Sequence, residues 1–300
     1  MIEINSKVTI GLCVKNSAGV VKTAFDSISI QDYPHELLKL LIVDDSSDDT
    51  LSLATEFAQK TDIKTFVTSS KGKGLGAARQ IIVDDAEADY IVWADDDLVL
   101  PKDFIRKHVE FMEKNPTVGA ARGINIQVAP QVTIITMIEY ALLIPLDSVD
   151  QKTFATGGSI FRLKALESVG GFDVRIKGAG EDLDVTRRIR MSGWTLATNN
   201  STAIHAKYPL VTLKAFWKQN WWYGYGNHYF FHKFKDQQFL LQLFPPYFIL
   251  GGFKTAIMIY RLTGLKKVFV FVFFDSFGMI ARSLGFARAN LDGYGHAKGI

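Results

Sequence analysis

The segment from Tyr90 to Asp97 reads YIVWADDD, five apolar or aromatic residues followed by three consecutive aspartates. A short apolar run that ends in polar residues predicts a buried β-strand at Tyr90–Ala94. Three adjacent carboxylates repel one another, and a divalent cation would offset that repulsion because hard ions prefer oxygen ligands. In this interpretation Asp97 is the preferred direct ligand. The alternative is a solvated acidic turn that caps a helix, and the triplet alone leaves both interpretations open.

Strand-like and helix-like segments alternate on both sides of this stretch, which predicts a mostly parallel sheet flanked by helices, a Rossmann-type α/β fold. Ligands of such sheets bind beyond the carboxyl ends of the strands. Asn16, Asp45 and the aspartate triplet each follow a predicted strand, so we expect them to converge on one edge of the sheet. The predicted strands are Lys7–Val14, Leu38–Val43, Ile63–Val67 and Tyr90–Ala94, and the predicted helices are Val20–Ile28, Leu51–Gln59, Ala77–Val83 and Pro101–Lys114.

Composition narrows the class of protein. A net charge of +3 over 300 residues is too small to indicate a nucleic-acid-binding surface, so no nucleic-acid partner is expected. The single cysteine, Cys13, excludes an internal disulfide and a cysteine-rich zinc site, and its apolar neighbours indicate a buried thiol. The first seven residues lack the pattern of a signal peptide, so folding in the cytoplasm is expected.

A glycine-rich turn at Lys71–Gly76, KGKGLG, precedes the third predicted helix. It is not a dinucleotide fingerprint, because its glycine spacing differs and it follows the third strand, and it lacks the Gly-Lys-Ser/Thr ending of a P-loop. A flexible turn at a helix N-terminus still suits an anion, and Arg79, one turn into that helix, is a candidate partner for a diphosphate. A plain surface turn is the alternative.

Two motifs follow the aspartate triplet. Thr156–Ser159, TGGS, precedes a strand-like piece, and Glu181-Asp182 stands at a predicted helix start. Acidic residues there are an ordinary capping signal, but a carboxylate at such a place can also take the proton from an attacking hydroxyl. His205 is either structural or a further ligand of the cation or the diphosphate.

Taken in order, these motifs resemble those of the inverting glycosyltransferases of family 2, which have the GT-A fold. The resemblance covers residues 7–205. It is carried by VKN at 14–16, VDDSSD at 43–48, GLGAAR at 74–79, DDD at 95–97, TGG at 156–158 and GED at 180–182.

The resemblance implies a nucleotide-diphosphate sugar as the donor. Asp45 looks like the acidic residue that contacts the nucleotide base, and Asn16 would border that base pocket. Arg79 looks like the arginine that binds the donor diphosphate. Gly157 and Gly158 look like part of the floor for the donor sugar and the acceptor.

The resemblance also implies a divalent cation, Mn²⁺ or Mg²⁺, as the cofactor. Asp95 and Asp97 match the family's Asp-x-Asp motif, with Asp96 at the variable place. Asp97 and Asp95 would then serve the metal, with His205 as a further ligand, while Asp95 and Asp96 share the ribose side of the donor. Asp182 looks like the catalytic base, with Glu181 beside it.

Two departures from the family pattern matter. Lys15 replaces an aromatic residue at the end of the first strand, which weakens the case for base stacking there. The Gln-x-x-Arg-Trp motif of processive members is absent, and KQNWW at 218–222 echoes it only in part. We therefore expect a non-processive enzyme.

Composition changes near residue 205, so we expect a catalytic domain at 1–205 and a helical, membrane-associated segment at 206–300. Residues 214–235 mix aromatic side chains with lysine and histidine, a composition typical of a membrane interface, although an ordinary helical core is the alternative. Two apolar segments follow, Phe239–Phe253 and Val268–Phe274. Neither is expected to be a clean membrane-spanning helix, because Pro245-Pro246 and Lys254 limit the first and Asp275 the second.

These features predict a protein at the cytoplasmic face of the cell membrane, peripheral or shallowly inserted, with a glycan or lipid-linked acceptor. Two other functions compete with glycosyl transfer. A sugar nucleotidyltransferase would need an arginine-bearing glycine-rich loop after the first strand, and residues 15–19, KNSAG, do not supply one. A non-catalytic, membrane-bound glycan-binding protein would not need every acidic position to be filled.

Overall fold

A computed structural model describes residues 5–127, 153–176, 178–205, 212–235, 240–241, 243–264 and 266–295. The strands are β1 Val8–Val14, β2 Leu38–Asp44, β3 Lys64–Thr68, β4 Tyr90–Asp95, β5 Leu98–Val99, β6 Val118–Gln127, β7 Ser159–Arg162 and β8 Thr195–His205. The α-helices are α1 Val21–Ser29, α2 Thr50–Lys60, α3 Leu75–Asp84, α4 Phe104–Lys114, α5 Leu163–Glu167, α6 Glu181–Met191, α7 Leu213–Phe234, α8 Pro245–Thr263 and α9 Phe271–Leu291.

The eight strands of the described chain form one sheet in the order β3-β2-β1-β4-β7-β6-β8-β5. Strand β1 pairs in parallel with β2 and β4, and β2 pairs in parallel with β3, so the first four strands end at one edge. Strand β7 runs antiparallel to β4 and β6, while β6 and β8 are parallel. The predicted mostly parallel sheet with flanking helices is confirmed.

Both faces of the central strands are covered, which explains why β1, β2 and β4 are nearly continuous apolar runs. Ile10, Leu40 and Val92 pack on one side with side chains of α1, α2 and α4. Leu41 and Trp93, from alternate positions of the same strands, pack on the other side with α3, α5 and α6. The motifs that follow β1, β2 and β4 are therefore held by strands that are packed on two faces.

The four predicted strands agree with the structure to within one residue at each end. The prediction that Pro101 opens a helix is wrong, because α4 begins at Phe104. The Phe104 amide donates to the Pro101 carbonyl across a turn (2.9 Å). The side chain of Gln31 holds this turn, since its amide nitrogen donates to the Pro101 carbonyl (3.0 Å) and its oxygen accepts from the Ile105 amide (3.1 Å).

The chain consists of two compact units. The first contains the sheet and helices α1 to α6, and the second contains α7, α8 and α9 together with Gly178–Gly180. Within the second unit, α7 and α9 approach so closely that a Cβ on Gly224 would lie 1.9 Å from the Arg282 carbonyl oxygen, and one on Gly285 would lie 2.0 Å from that of Trp221. Only glycine permits such an approach of two helix backbones.

The apolar segments near the C-terminus form longer helices than the sequence predicted. Helix α8 begins at Pro245, which suits a first helical turn, and then continues through Lys254. Helix α9 continues through Asp275, so neither charged residue ends its helix. Among the described residues, Lys266–Leu291 is by length and composition long and apolar enough to cross a membrane, and its 18-residue apolar window has a mean hydropathy of 1.6. The prediction that neither segment has this length and composition is therefore wrong for the second one.

Candidate active site

A pocket of roughly 440 Å³ opens where β2 and β3 end, and Asp45 lies in its wall. The Ser69 hydroxyl donates to Asp45 Oδ1 (2.7 Å), and the Ser70 hydroxyl donates to Oδ2. Partial burial raises the pKa of Asp45, but these hydrogen bonds and one from the Gly72 amide outweigh it and hold the pKa below its ordinary value. The pocket is lined by Asp44, Asp45, Ser46, Leu51, Val67, Thr68, Ser69, Lys71 and Gly72.

Asn16 ties the end of β1 to the loop that follows β2. Its backbone is left-handed, with φ of 55°, a conformation that asparagine tolerates better than most residues. Its side-chain oxygen accepts from the Ser47 amide (2.8 Å), and its own amide donates to the Ser46 hydroxyl (2.8 Å). Asn16 therefore shapes the loop beside the pocket. The neighbouring Lys15 side chain is exposed.

The aspartate triplet extends beyond β4, and all three residues are half-buried. Asp96 accepts a hydrogen bond from the Ser17 hydroxyl, which comes from the loop after β1. Asp95 lies against Gly157: a Cβ added to Gly157 would be 2.1 Å from Asp95 Oδ2. The absence of a side chain at Gly157 thus makes room for the Asp95 carboxylate.

Gly158 completes the floor of this region through its backbone. Its φ of 72° is left-handed, which glycine adopts without strain. Its amide donates to the Trp93 carbonyl (3.0 Å), and its carbonyl accepts from the Gly123 amide (2.9 Å). The TGGS motif is thereby joined to the end of β4 that carries Asp95.

Arg79 is buried between the triplet and the start of α6. Its Nη1 atom donates to Glu181, and its Nη2 atom lies 3.8 Å from Asp95 Oδ1. The rings of Trp93 and Phe172 lie 5.7 and 5.9 Å from its guanidinium carbon. Burial alone would lower the pKa of Arg79, but the negative charges of Glu181 and Asp95 raise it, so the guanidinium stays charged.

Helix α6 begins at Glu181, as the sequence predicted, and places two carboxyl groups in different surroundings. Burial and the adjacent Asp182 charge raise the pKa of Glu181, and the charge of its partner Arg79 opposes that rise. Its Oε2 atom is buried and accepts no hydrogen bond within the described chain. Asp182 is half-buried. Loss of contact with solvent raises its pKa, and the charge of Arg79 partly opposes that rise. A raised pKa makes the Asp182 carboxylate a stronger base than an exposed aspartate.

The sheet brings the backbone of His205 close to the triplet, since His205 pairs with Leu98, the residue after Asp97. The His205 side chain lies outside the described part of the structure. Among the described residues, no group of three or more His, Cys, Asp or Glu side chains is placed to hold a metal by itself. The half-buried carboxylates still fit Mn²⁺ or Mg²⁺, because such ions in phosphate-transferring sites use one or two carboxylates and complete their shell with substrate phosphate and water.

Several residues that contact these side chains do not belong to any motif singled out in the sequence. Ser69 and Ser70 follow β3 directly, so the rule that directs attention to strand ends would have found them. Ser17 likewise stands in the loop after β1, beside Asn16, whereas Phe172 carries no such signal, since its contact with Arg79 joins distant parts of the chain.

A model of glycosyl transferase family 2 matches residues 9–170, more than half of the chain. The chain belongs to glycosyl transferase family 2. A second model, glycosyl transferase family group 2, matches residues 90–284 and so extends from β4 into α9. The resemblance stated from the motifs is confirmed at the level of the family.

Two curated relatives are glycan-synthesising enzymes. The poly-β-1,6-N-acetyl-D-glucosamine synthase of Staphylococcus epidermidis is 26% identical over 226 residues, which is 72% of this chain and 53% of the relative. The poly(ribitol-phosphate) β-N-acetylglucosaminyltransferase TarS of Staphylococcus aureus is 23% identical over 120 residues, 39% of this chain and 21% of the relative. The match thus spans about half the length of the first relative and about a fifth of the second.

Solved structures confirm the GT-A-like fold. The mannosyltransferase PcManGT from Pyrobaculum calidifontis, in complex with GDP-Man and Mn²⁺, superposes with a TM-score of 0.60 at 18% identity, over 99% of this chain and 77% of that one. Residues 1–349 of Staphylococcus aureus TarS, in complex with UDP-GlcNAc, give a TM-score of 0.51 at 16% identity, over 95% and 92% of the two chains.

Proposed function

We propose that this chain transfers a hexosyl-type sugar from a nucleotide-diphosphate donor to an acceptor hydroxyl or phosphate, with inversion at the anomeric carbon. The observation that carries the proposal is the pair of ionic contacts made by Arg79, to Glu181 and to Asp95. Asp95 is assigned to the donor, and Glu181 directly precedes the proposed base Asp182. Both contacted carboxylates therefore lie at one buried guanidinium. Single displacement needs both groups at one place.

The donor's nucleotide is assigned to the pocket beside Asp45, with Asn16 shaping its border. A carboxylate held by Ser69 and Ser70 is a fixed acceptor for the N–H groups of a base. Asp95 and Asp96 are assigned to the ribose and diphosphate side, and Gly157 and Gly158 form the floor beside them.

Asp97 and Asp95 would hold Mn²⁺ or Mg²⁺, with His205 as a third ligand. When bound, the cation would supply charge that stabilises the departing diphosphate. A PcManGT structure that contains Mn²⁺ supports a cation of this type, because the two folds match.

Asp182 is assigned the role of general base, which takes the proton from the acceptor as its oxygen attacks the sugar. Its carboxyl is accessible in part and its raised pKa favours proton uptake. Glu181 is 3% exposed at its side chain and paired with Arg79, so it is poorly placed to attack a sugar as a nucleophile. One base without a carboxylate nucleophile supports inversion.

The first donor to test is UDP-N-acetylglucosamine. The names of the curated relatives point to N-acetylglucosamine transfer, and TarS was solved with UDP-GlcNAc. Non-processive transfer stays a prediction from the absent Gln-x-x-Arg-Trp motif, since one of the relatives is named for a polymer product.

The acceptor is proposed to be a glycan or a lipid-linked molecule at the cytoplasmic face of a membrane. Residues 237–274 contain four Lys or Arg and no Asp or Glu, a charge balance that suits anionic lipid. Large apolar side chains of α8 and α9 are exposed, including Leu250 at 69% and Phe273 at 78%. Exposed apolar surface beside basic residues supports peripheral or shallow insertion.

The test compares the wild type with Asp182→Asn and a matched exposed carboxyl variant, Glu167→Gln. Binding of UDP-GlcNAc is measured by calorimetry with and without Mn²⁺, and turnover is measured as UDP release. We expect Asp182→Asn to keep donor affinity and to lose roughly 10²-fold or more in turnover, because a general base contributes about that much. Wild-type turnover in Asp182→Asn would contradict the assignment of Asp182 as the base. Donor binding with the same affinity in the presence and absence of Mn²⁺ would contradict the role assigned to the triplet.

A further inference from the structure

The resemblance to family 2 assigns Arg79 to the donor diphosphate, but its surroundings point elsewhere. Its side chain is 8% exposed. One guanidinium nitrogen donates to Glu181, a second lies 3.8 Å from Asp95, and aromatic rings approach it from Trp93 and Phe172. A ligand for a diphosphate must present N–H groups to the substrate, and this guanidinium is enclosed by protein groups and gives Nη1 to Glu181.

We propose that Arg79 is a positioning residue that holds Asp95 and the start of α6 in place, and that it does not bind the donor diphosphate directly. The inference rests on the proposed sugar transfer and changes the role of one residue in it.

The chemistry of the pair supports a positioning role. Arginine has a planar fork that can meet two carboxylates at once, whereas lysine provides a single charged point. Glu181 depends on that fork, because its second oxygen is buried without a hydrogen bond within the described chain. Removing the guanidinium would leave a buried carboxyl group without its charge partner, which is costly.

The position of Arg79 is fixed by the packing of α3. A Cβ on Gly76 would lie 2.6 Å from the Asp173 carbonyl oxygen and 2.7 Å from that of Ile176. The first turn of α3 therefore presses against the loop that follows Phe172. The side chain of Gln80, one turn of α3 along, accepts from the Phe172 amide (2.6 Å). The loop that supplies a ring to the guanidinium is thus attached to the helix that carries it.

The consequence is a link between two parts of the site. Asp95 belongs to the donor side, and Asp182 follows Glu181 directly in α6. A shift of the guanidinium moves both, so its loss lowers turnover more than it lowers nucleotide affinity. Misplacement of a reacting group by about 1 Å can cost roughly 10²-fold in rate.

The experiment uses the full chain and four variants: Arg79→Met, Arg79→Lys, Glu181→Gln and the double variant Arg79→Met/Glu181→Gln. Affinities for UDP and for UMP are measured by calorimetry, turnover as UDP release from UDP-GlcNAc, and folding by thermal melting. Arg162→Met is the structural control. Arg162 is half-buried and donates to the Tyr90 hydroxyl (3.1 Å), but it lies at the opposite end of β4 from Asp95.

We expect UDP affinity to stay within about threefold of wild type in all four variants, since a lost charge-assisted phosphate contact would cost more than tenfold. Turnover of Arg79→Met should fall at least about tenfold, and Arg79→Lys should recover part of it. The double variant should melt closer to wild type than Arg79→Met does and yet stay slow, because it removes the unpaired charge but not the misplacement. Arg162→Met should change melting alone.

A direct phosphate contact predicts the opposite pattern and would overturn the inference. In that case Arg79→Met lowers the affinity for UDP more than about tenfold and the affinity for UMP less. Glu181→Gln frees the guanidinium and raises the affinity for UDP. Recovery of full turnover in the double variant would also overturn it, because the pair would then serve stability only. If the wild type binds no UDP, the proposed donor fails first, and the inference fails with it.

Discussion

The contact between Gly157 and Asp95 allows a sharp test of the donor site. In Gly157→Ala the new Cβ would lie 2.1 Å from Asp95 Oδ2 and 2.9 Å from its Cγ, whereas ordinary contact begins at 3.4 Å. The backbone of Gly157 lies outside the left-handed region, so alanine introduces the steric clash without backbone strain. The substitution therefore acts on one carboxylate.

The two effects of Gly157→Ala should differ in size. The Asp95 side chain is 37% exposed and can swing outward, so the free energy of unfolding should change by less than about 1 kcal/mol. The carboxylate must retreat by about 1 Å, and a displacement of that size at a reacting centre costs roughly 10²-fold in rate. Turnover should therefore fall roughly 10²-fold. UDP affinity should change by no more than the roughly threefold expected for Arg79→Met, and the melting curve should barely move.

The assay pairs calorimetry and UDP release with urea unfolding, and Gly193→Ala is the matched control. Gly193 has a φ of 96° and open space around its Cβ position. Alanine there should cost about 1 kcal/mol of stability through left-handed strain and leave turnover unchanged. Wild-type turnover in Gly157→Ala would refute the assignment of Asp95 to the donor side.

Two further predictions concern the pocket and the helical unit. In Ser69→Ala/Ser70→Ala the Asp45 carboxylate loses two hydrogen bonds that keep its pKa low, so its pKa rises and the acid limb of UDP affinity moves to higher pH. Because the folded-state pKa of Asp45 lies below that of the unfolded chain, it contributes stability at pH values above the unfolded-state pKa. This stability is lost as the pH falls through the folded-state pKa, so the double variant should also unfold more readily in acid. In Gly285→Ala the new Cβ meets the backbone of α7 at 2.0 Å, which should cost about 1–3 kcal/mol in urea unfolding. Gly251→Ala, in a helix with open space, should not destabilise.

The sequence predicted β1, β2 and β4, which are buried on both faces, and the shorter β3, but it missed β8, which is not an apolar run. β1, β2 and β4 are nearly continuous apolar segments because helices cover both sides of these strands. β8 reads TLATNNSTAIH, which contains no apolar run, and it is stabilised by pairing with β6. Its Asn199 is buried and hydrogen-bonds His108 of α4 (2.6 Å), a polar contact that no local pattern encodes.

The convergence of the site was predictable, and the state of its groups was not. Placing Asn16, Asp45 and the triplet at one edge follows from parallel strands alone. The enclosure of Arg79 depends on Phe172, a residue 93 positions away in sequence, and on the packing of α3 against the loop beyond it. Whether an arginine faces a substrate or a buried carboxylate is decided by such tertiary contacts, and motif order carries no information about them.

The environment of the triplet changes the argument that first suggested a cation. Three adjacent carboxylates were expected to need an ion to offset their repulsion. In the structure Asp95 lies near Arg79 and Asp96 accepts from Ser17, so the protein itself compensates part of the charge of both carboxylates. Repulsion within the triplet is therefore a weaker argument for a cation than the donor diphosphate, whose oxygens would complete the shell of the proposed ion. The proposed ion would then belong to the donor complex more than to the fold, which is why dependence of donor binding on Mn²⁺ is the decisive observable for this site.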